Sequence, residues 1–342
     1  MVEIIKKNKK ILLIAPLFFD YYKEIIKEAE GIGLKVDYVC DAPSDTNLSK
    51  AIGRLNKSFI KYPTKRYFNK EVLPIVINAK YDYVVLIAGM TFAFTREMIA
   101  VIKKIQPQAK FIMYQWDSEK NLPFSTQIHY LFDKRFTFDR LDYERSEKYD
   151  FLPLFYTKIY ESIGERENEK FDYDCSYIGT AHPKKFKDIN NMSLKLINKL
   201  PRQFIYHYMP SKIKYYYHKV TAVEYKTANI ESFKFTKISN IKMIDIIEKS
   251  KCILDSPQNG QIGLTMRTIE CIGAKKKLIT TNSDIKNYDF YCESNVLIFD
   301  KNFDENSSFF SQPYKNLSAE IYQKYSLKSW LINLLELSED EK

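Results

Sequence analysis

The sequence has little glycine, little cysteine and no long apolar run, and each shortage excludes a class of protein. Only 9 glycines and 12 prolines occur in 342 residues, which excludes collagen-like and low-complexity chains. The 5 cysteines are widely spaced and contain no CxxC pair, so they favour reduced thiols in the cytosol over disulfides or zinc. The first apolar run, residues 11–16, is too short for a signal peptide or a membrane span. We therefore expect a cytoplasmic protein that contacts a membrane only peripherally.

Motifs for several common chemistries are also missing. No P-loop occurs, and no GxGxxG follows the first apolar run, which disfavours kinases and dehydrogenases. Asp172-Tyr173-Asp174 resembles a metal-binding Asp-x-Asp pattern, but it precedes a predicted strand instead of following one. We interpret it as ordinary solvent-exposed residues and predict neither a metal nor a resident cofactor.

The charge balance is basic, with 53 Lys and Arg against 43 Asp and Glu, a net charge of +10. Such a protein is attracted to anionic partners, including phosphorylated substrates and anionic lipid. The lysines are spread along the chain and no arginine-rich arm occurs, so nucleic acid is not indicated.

The pattern that is present is an alternation of short apolar runs with helical spacing. Continuous apolar runs separated by helices are typical of parallel strands covered on both faces. The alternation stops at a polar stretch near residues 161–170 and then restarts. We predict two doubly wound α/β domains, residues 1–157 and 171–312, that face a cleft with their strand carboxyl ends. The strands are predicted at residues 11–15, 35–40, 83–87, 111–115 and 135–138, and then at 175–178, 204–208, 252–254, 278–280 and 296–299.

The segment 255–274 is the most informative part of the sequence. A predicted strand ends at Asp255, a polar loop with Gly260 and Gly263 follows, and a helix then begins. A helix N-terminus offers free N–H groups and a partial positive charge, which suit a phosphate. Arg267 in the first turn adds a cation for a diphosphate, and Glu270 one turn later is suited to ribose hydroxyls. The alternative is that Arg267 and Glu270 pair with each other at spacing i, i+3.

This segment resembles the donor site of GT-B glycosyltransferases, most closely the CgeB-like and lipopolysaccharide-biosynthesis branches. The likeness rests on the sequence RTIECIGA at 267–274 and on KLITTN at 277–282. Weaker likenesses are CSYIGTAHPKK at 175–185, YQWDS at 114–118 and YSLKSW at 325–330. They cover most of the chain loosely. In that fold the last helix returns to the first domain, so the resemblance implies this role for residues 313–342.

The resemblance also implies a nucleotide-sugar donor and a role for individual residues in binding it. Gly179 and Thr180 would let backbone N–H groups approach the donor phosphates. Glu270 would hold the ribose. The diphosphate pocket would be lined by Gly263, Leu264, Thr265 and Arg267. His182 fits either a phosphate or sugar contact, or a capping or exposed histidine.

The stereochemistry and the base are predicted from two further features. Retaining GT-B enzymes often carry two glutamates eight positions apart. With Glu270 as the second, the position of the first is occupied by Ile262, so we expect inversion. Inversion needs a base for the acceptor hydroxyl. Asp117 follows a predicted strand and adjoins Trp116, whose face suits a sugar, although a helix N-cap would also explain Asp117. Asp20, after the first strand, is the rival, and Asp139 is a third candidate.

The expected activity is sugar transfer to a glycan or lipid-linked acceptor in lipopolysaccharide or capsule synthesis. The alternatives are an epimerase or phosphorylase on the same fold, and a catalytically idle protein that binds nucleotide sugar or glycan. The stretch 212–219, KIKYYYHK, mixes cations with aromatic residues. It fits contact with anionic lipid or a lipid-diphosphate acceptor, and equally a surface helix with half-buried tyrosines.

Overall fold

The computed structural model describes residues 9–18, 20–43, 58–89, 91–122, 124–166, 170–257 and 262–337. The chain divides into two compact units. Unit 1 contains the residues up to Pro153 together with those from Leu327 onward, and unit 2 contains Leu154–Ser326. Gly260, part of the predicted donor loop, lies outside the described residues.

Unit 1 is built on a six-stranded parallel sheet with the strand order β2-β1-β3-β4-β5-β6. Its central strands are continuous apolar runs because helices cover both faces. The strand order reverses between β1 and β3, where ligands bind in open α/β sheets. The strands are β1 (Lys10–Ala15), β2 (Lys35–Cys40), β3 (Tyr83–Ala88), β4 (Lys110–Gln115), β5 (Lys134–Thr137) and β6 (Asp150–Phe151).

The unit 1 helices connect these strands, and one of them comes from the end of the chain. They are α1 (Tyr21–Gly31), α2 (Ser58–Tyr67), α3 (Leu73–Ile77), α4 (Arg96–Ile105), α5 (Arg140–Arg145) and the C-terminal α12 (Leu327–Leu335). Helix α12 is held by Trp330, whose ring meets Tyr114 of β4 edge-to-face at 4.9 Å between centroids. Both rings are fully buried. The last helix therefore belongs to the core of the first domain, as the resemblance implies.

Unit 2 repeats the architecture with the strand order β12-β11-β10-β7-β8-β9, again all parallel. Its order reverses between β7 and β10. The strands are β7 (Tyr173–Thr180), β8 (Gln203–Tyr208), β9 (Phe233–Lys234), β10 (Ser250–Asp255), β11 (Lys277–Thr280) and β12 (Val296–Ile298). The helices are α6 (Lys158–Glu165), α7 (Pro183–Leu196), α8 (Lys212–Thr221), α9 (Asn240–Glu248), α10 (Met266–Gly273) and α11 (Ala319–Lys324).

The two doubly wound sheets predicted from the alternation are confirmed. The apolar spacing over residues 318–337 predicts one long amphipathic helix, and this prediction is wrong, because the tail forms α11 and α12 with a break at Tyr325 and Ser326. The carbonyl of Tyr325 accepts the N–H of Tyr156 at 2.9 Å, and Ser326 forms a parallel bridge with Tyr156. These contacts tie the break between α11 and α12 to Tyr156. Within the described ranges, every helix is too short or too polar to cross a bilayer.

Candidate functional site

The sheet of unit 2 brings two helix N-termini together at its point of strand-order reversal. Strands β7 and β10 are parallel neighbours, so both point their carboxyl ends to the same edge. Helix α7 begins three residues after β7 ends, and α10, which begins at Met266, is the helix that follows β10. Because each helix N-terminus carries a partial positive charge, this edge favours an anion.

Asp255, the last residue of β10, organises the start of α10. Its Oδ2 accepts hydrogen bonds from the hydroxyls of Thr265 at 2.5 Å and Thr268 at 3.2 Å. Thr265 is also the N-cap of α10, since its Oγ1 accepts the N–H of Thr268 at 3.2 Å. The buried carboxylate therefore fixes the N-cap residue, and with it the direction in which the helix N–H groups point.

Two lysines stand in the first turn of α7, which is an unfavourable place for a cation. The Lys185 ammonium lies 3.7 Å from Asp255 Oδ1, and its side chain is mostly buried. Lys184 pairs with Asp188 at 2.6 Å and lies 3.4 Å from the hydroxyl of Ser256. The same edge thus carries two cations beside the helix N-termini.

Hydroxyls close the network beside these lysines. Ser256 Oγ donates to Asp188 at 2.6 Å, and Thr281 Oγ1 lies 3.0 Å from Ser256 Oγ. Thr281 follows β11, so three neighbouring strands contribute to one polar cluster. The arrangement offers hydrogen-bond donors and positive charge, the combination that holds phosphate.

Gly179 and Thr180 lie inside the end of β7, where they pair with His207 and Tyr208 of β8. A Cβ on Gly179 would come within 2.4 Å of the hydroxyl oxygen of Tyr177. Glycine is therefore required here for packing. His182 is the N-cap residue of α7, but its side chain makes no capping hydrogen bond.

Arg267 and Glu270 form the ion pair that their spacing allowed, with Nη1 and Oε2 2.8 Å apart. Glu270 is only 2% exposed. Tyr160 of α6 lies beside the pair, and burial followed by the charge of Glu270 raises its pKa. Glu270 is thus placed to hold Arg267, whose Nη2 also contacts the sulfur of Met243 at 3.0 Å, and 17% of the Arg267 side chain is exposed.

Gly263 and Leu264 precede this helix, and both are buried. Leu264 is 2% exposed, so its side chain belongs to the core of unit 2. The adjacent carbonyl of Ile262 accepts a hydrogen bond from the Asn282 side-chain amide at 2.9 Å. That bond anchors Ile262, just before Gly263, to Asn282, which lies two residues after the end of β11.

The carboxyl edge of the unit 1 sheet has the opposite character, because it is acidic. Asp117 follows β4, and its Oδ1 accepts the N–H of Ser118 and the side-chain amide of Asn121, each at 2.8 Å. Burial raises the pKa of Asp117, and the charge of Asp139 adds to the rise. Asp139 is the N-cap of α5 and accepts the N–H of Leu141 at 2.9 Å.

Asp20, the rival base, lies after β1 at the N-terminus of α1. It has a left-handed backbone with φ of 61°, and its side chain does not cap the helix. Its carboxylate pairs with Lys23 at 3.1 Å and is about half exposed. Its neighbours Phe18 and Tyr21 contact the Trp116 ring at centroid distances of 6.4 and 5.6 Å. The Asp20 and Asp117 loops therefore meet through this aromatic cluster.

The structure brings together the candidate residues within each unit. In unit 2, Gly179, Thr180 and His182 end β7 or precede α7, and Thr265 is linked to the same edge through Asp255, which also pairs with Lys185. Arg267 and Glu270 pair with each other, and Arg267 also contacts Met243 of α9. Sequence reasoning missed Lys184, Lys185 and Asp255. The available signal was two lysines in a first helical turn directly after a strand, where the helix dipole opposes them.

Comparisons with known proteins identify the fold. No protein-family model matches the chain, and no curated protein matches it. Among solved structures, an alpha-glucosyltransferase in complex with UDP and a 13-mer DNA is 14% identical, with a TM-score of 0.59 over 95% of both chains. HepE of Anabaena, in complex with UDP and glucose, is 10% identical, with a TM-score of 0.59 over 96% of this chain and 98% of that one.

The lipopolysaccharide outer core galactosyltransferase WaaB is 10% identical, with a TM-score of 0.54 over 96% of this chain and 99% of that one. These similar structures are GT-B glycosyltransferases. With its two parallel sheets and returning C-terminal helix, the chain has the GT-B fold.

Proposed function

We propose that the chain is a glycosyltransferase that transfers a sugar from a nucleotide-sugar donor to a glycan or lipid-linked acceptor. The observation that carries the proposal is the polar cluster of unit 2. Two helix N-termini and the ammonium groups of Lys184 and Lys185 meet where the strand order reverses. Each ammonium group is paired with a carboxylate, so what the edge offers a ligand is the two helix N-termini together with ammonium and hydroxyl donors, and a nucleoside diphosphate is the ligand class that these suit.

In this proposal Lys185, Arg267 and the first turn of α10 hold the diphosphate. Their charge stabilises the leaving diphosphate as the bond from its oxygen to the sugar breaks. Backbone N–H groups after Gly179 and Thr180, with His182, contact the same group. Gly263, Leu264 and Thr265 form its wall through their backbone, and Glu270 acts through Arg267 or on the ribose.

Asp117 is proposed as the base of an inverting transfer. It removes the proton of the acceptor hydroxyl while that oxygen attacks the anomeric carbon. The raised pKa of the Asp117 carboxyl makes it a stronger base than an ordinary aspartate once it is ionised. Asp20 stays the rival, since β1 and not β4 borders the strand-order reversal of unit 1.

The acceptor class is proposed from WaaB, which acts in the lipopolysaccharide outer core and has a similar structure. We infer that this chain works at the cytoplasmic side of a membrane in surface polysaccharide synthesis, in lipopolysaccharide or capsule. A CgeB-like affiliation is part of the same proposal, through the RTIECIGA segment.

A panel of UDP-, GDP-, ADP-, CMP- and dTDP-sugars tests the activity. We expect one nucleotide to raise the melting temperature of the protein, and its sugar to be released to water slowly without acceptor. Binding without hydrolysis or transfer to any glycan extract would favour an idle binding protein. Release of sugar 1-phosphate with inorganic phosphate would favour a phosphorylase, and no stabilisation by any nucleotide would contradict the proposal.

A further inference from the structure

Helix α8 in unit 2 carries apolar side chains on the side that faces solvent. Ile213 and Val220 are each 82% exposed, and Tyr216 and Tyr217 are 59% and 63% exposed. Their spacing of three, four and seven residues places all four on one face of a helix. We call these residues the α8 stripe.

The opposite side of the same helix is already packed. Tyr215 is buried with Phe233 and Tyr225, and its hydroxyl donates to the carbonyl of Ala228 at 3.0 Å. At about 3.6 residues per turn, Tyr215 points away from the centre of the stripe. The fold of unit 2 therefore does not need the α8 stripe for its own core, and an outward apolar face of this kind marks an interaction surface.

Positive charge borders the stripe on both sides. Lys212 and Lys214 lie in the first turn and Lys219 in the last, while residues 205–223 contain no Asp or Glu. Lys219 donates at 2.6 Å to the same carbonyl of Ala228 that Tyr215 binds, so its ammonium lies towards the packed side of α8, and the lysines that border the stripe are Lys212 and Lys214. An apolar face with tyrosines and flanking lysines complements the boundary between acyl chains and anionic headgroups.

We propose that the α8 stripe docks unit 2 on an anionic lipid bilayer, with the four apolar side chains in the headgroup boundary and the lysines on lipid phosphates. A second copy of the chain is the less suitable occupant, because two such surfaces would bring lysines against lysines. The proposal concerns membrane binding and does not depend on the sugar-transfer activity.

The segment that follows α8 is tied to the start of α7, which borders the proposed donor site. Helix α8 follows β8, whose neighbour β7 carries Gly179 and Thr180. Tyr225, just after α8, stacks on Phe186 of α7 at 5.1 Å and donates to the carbonyl of Ala181 at 2.8 Å. Helix α8 is thus fixed relative to the residues that follow β7.

Sedimentation with sucrose-loaded vesicles tests the proposal. The full chain should bind vesicles of phosphatidylcholine with phosphatidylglycerol, and bind pure phosphatidylcholine at least about tenfold more weakly. Ile213→Ser with Val220→Ser should weaken binding to the anionic vesicles about tenfold or more. Lys212→Gln with Lys214→Gln should weaken it about tenfold, and high salt should do the same to the unaltered chain.

Ile241→Ser is the matched control, because Ile241 is 83% exposed on α9. Since crossover connections are right-handed, α8 and α9 lie on opposite faces of the sheet. The control should bind vesicles like the unaltered chain. Equal loss in the control and in the stripe variant overturns the proposal, as does equal binding to both vesicle types.

Light scattering without vesicles tests the other occupant of the stripe, a second copy of the chain. Self-association of the unaltered chain that is lost in the Ile213→Ser/Val220→Ser variant would assign the stripe to a second copy and overturn the lipid proposal. If that variant melts at a much lower temperature than the unaltered chain, its vesicle binding does not test the proposal. The Lys212→Gln/Lys214→Gln variant then decides whether the stripe binds lipid, because Lys212 is exposed and Lys214 half-exposed.

Discussion

The carboxyl edges of the two sheets have the same architecture and opposite chemistry. In unit 2 the edge combines two helix N-termini with Lys184, Lys185 and Arg267, each of which is paired with a carboxylate. In unit 1 the corresponding edge places Asp117 and Asp139 close enough for the charge of Asp139 to raise the pKa of Asp117. One edge therefore favours an anion, and the other makes an anion costly and a proton easy to accept.

The difference shows that one sheet architecture carries two kinds of side-chain chemistry. Parallel strands place loops at one edge in both units, so the backbone alone does not distinguish them. The side chains at the strand ends decide the chemistry. For sugar transfer, the basic edge is suited to the leaving diphosphate and the acidic edge to the acceptor hydroxyl.

The largest effect is expected at the acidic edge. Asp117→Asn keeps the hydrogen bonds that the Oδ1 of Asp117 accepts from Ser118 and Asn121, but removes the base. Turnover should fall by about 10²–10⁴-fold, while donor affinity stays within about twofold. Steady-state transfer rates and donor titration measure the two quantities.

Asp20→Asn is the matched variant, because Asp20 belongs to the neighbouring loop and is more exposed. It should keep turnover within about threefold. The opposite result, normal turnover in Asp117→Asn and loss in Asp20→Asn, would move the base to the loop after β1.

The second effect is expected at the basic edge. Lys185→Gln removes a cation next to Asp255, and donor affinity should fall by about ten- to a hundredfold, as for a charged hydrogen bond to phosphate. Lys187→Gln is the control, since Lys187 is exposed on the same helix. Equal affinities of the two variants for the donor would place the diphosphate elsewhere.

Arg267 needs a different design, because its removal leaves the carboxylate of Glu270 buried without its partner. Arg267→Ala in a Glu270→Gln background avoids that penalty. We expect about ten- to a hundredfold weaker donor binding with little change in melting temperature. Unchanged donor affinity would make Arg267 a structural residue.

The fold was largely predictable from the sequence, since buried parallel strands are continuous apolar runs. Residues 83–87 and 111–115 fall within β3 and β4 almost to the residue. The tail was not predictable to the same degree. Its break at Tyr325 depends on a hydrogen bond to Tyr156, far away in the chain, and helical periodicity contains no information about such a partner.

The local structure of the candidate residues was predictable where motif and helix start coincide. Thr265 was placed in the opening turn of a helix, and it caps α10. The roles of Asp255 and Lys185 depend on the pairing of β7 with β10, which links residues 70 or more positions apart. The burial of Glu270 follows from packing of α10, and the i, i+3 spacing alone allowed either a free carboxylate or the ion pair that forms.

A smaller effect should appear in the stability of the acidic edge. Burial raises the pKa of Asp142 from 3.8 to about 6, although its Oδ2 accepts the N–H of Glu119 at 2.7 Å. The folded state then binds more protons than the unfolded state between these values, so this carboxyl lowers stability as pH rises through the window. Asp142→Asn should raise the free energy of unfolding at neutral pH by about 1–2 kcal/mol.

Urea denaturation at neutral pH and at about pH 4 measures this gain, which should shrink towards the lower pH. Asp150→Asn is the control, because Asp150 is exposed and pairs with Lys134 at the surface, where such pairs contribute about 0–1 kcal/mol. A gain that is equal at both pH values would mean that ionisation of Asp142 is not its cause.

The smallest effect is expected from chelation. Among the described residues, no three His, Cys, Asp or Glu side chains converge to hold a metal ion. The carboxylates at the acidic edge are also engaged, since Asp117, Asp139 and Asp142 each accept a backbone N–H. At the basic edge, Lys185, Arg267 and the helix N-termini supply the positive charge that a divalent cation would bring to a leaving diphosphate.

We therefore expect the transfer rate to be the same with EDTA as without it, measured on protein purified without added metal. Loss of transfer that Mg²⁺ or Mn²⁺ restores would show that these cations are insufficient, and would change the comparison of the two edges, because the acidic one would then be a metal site.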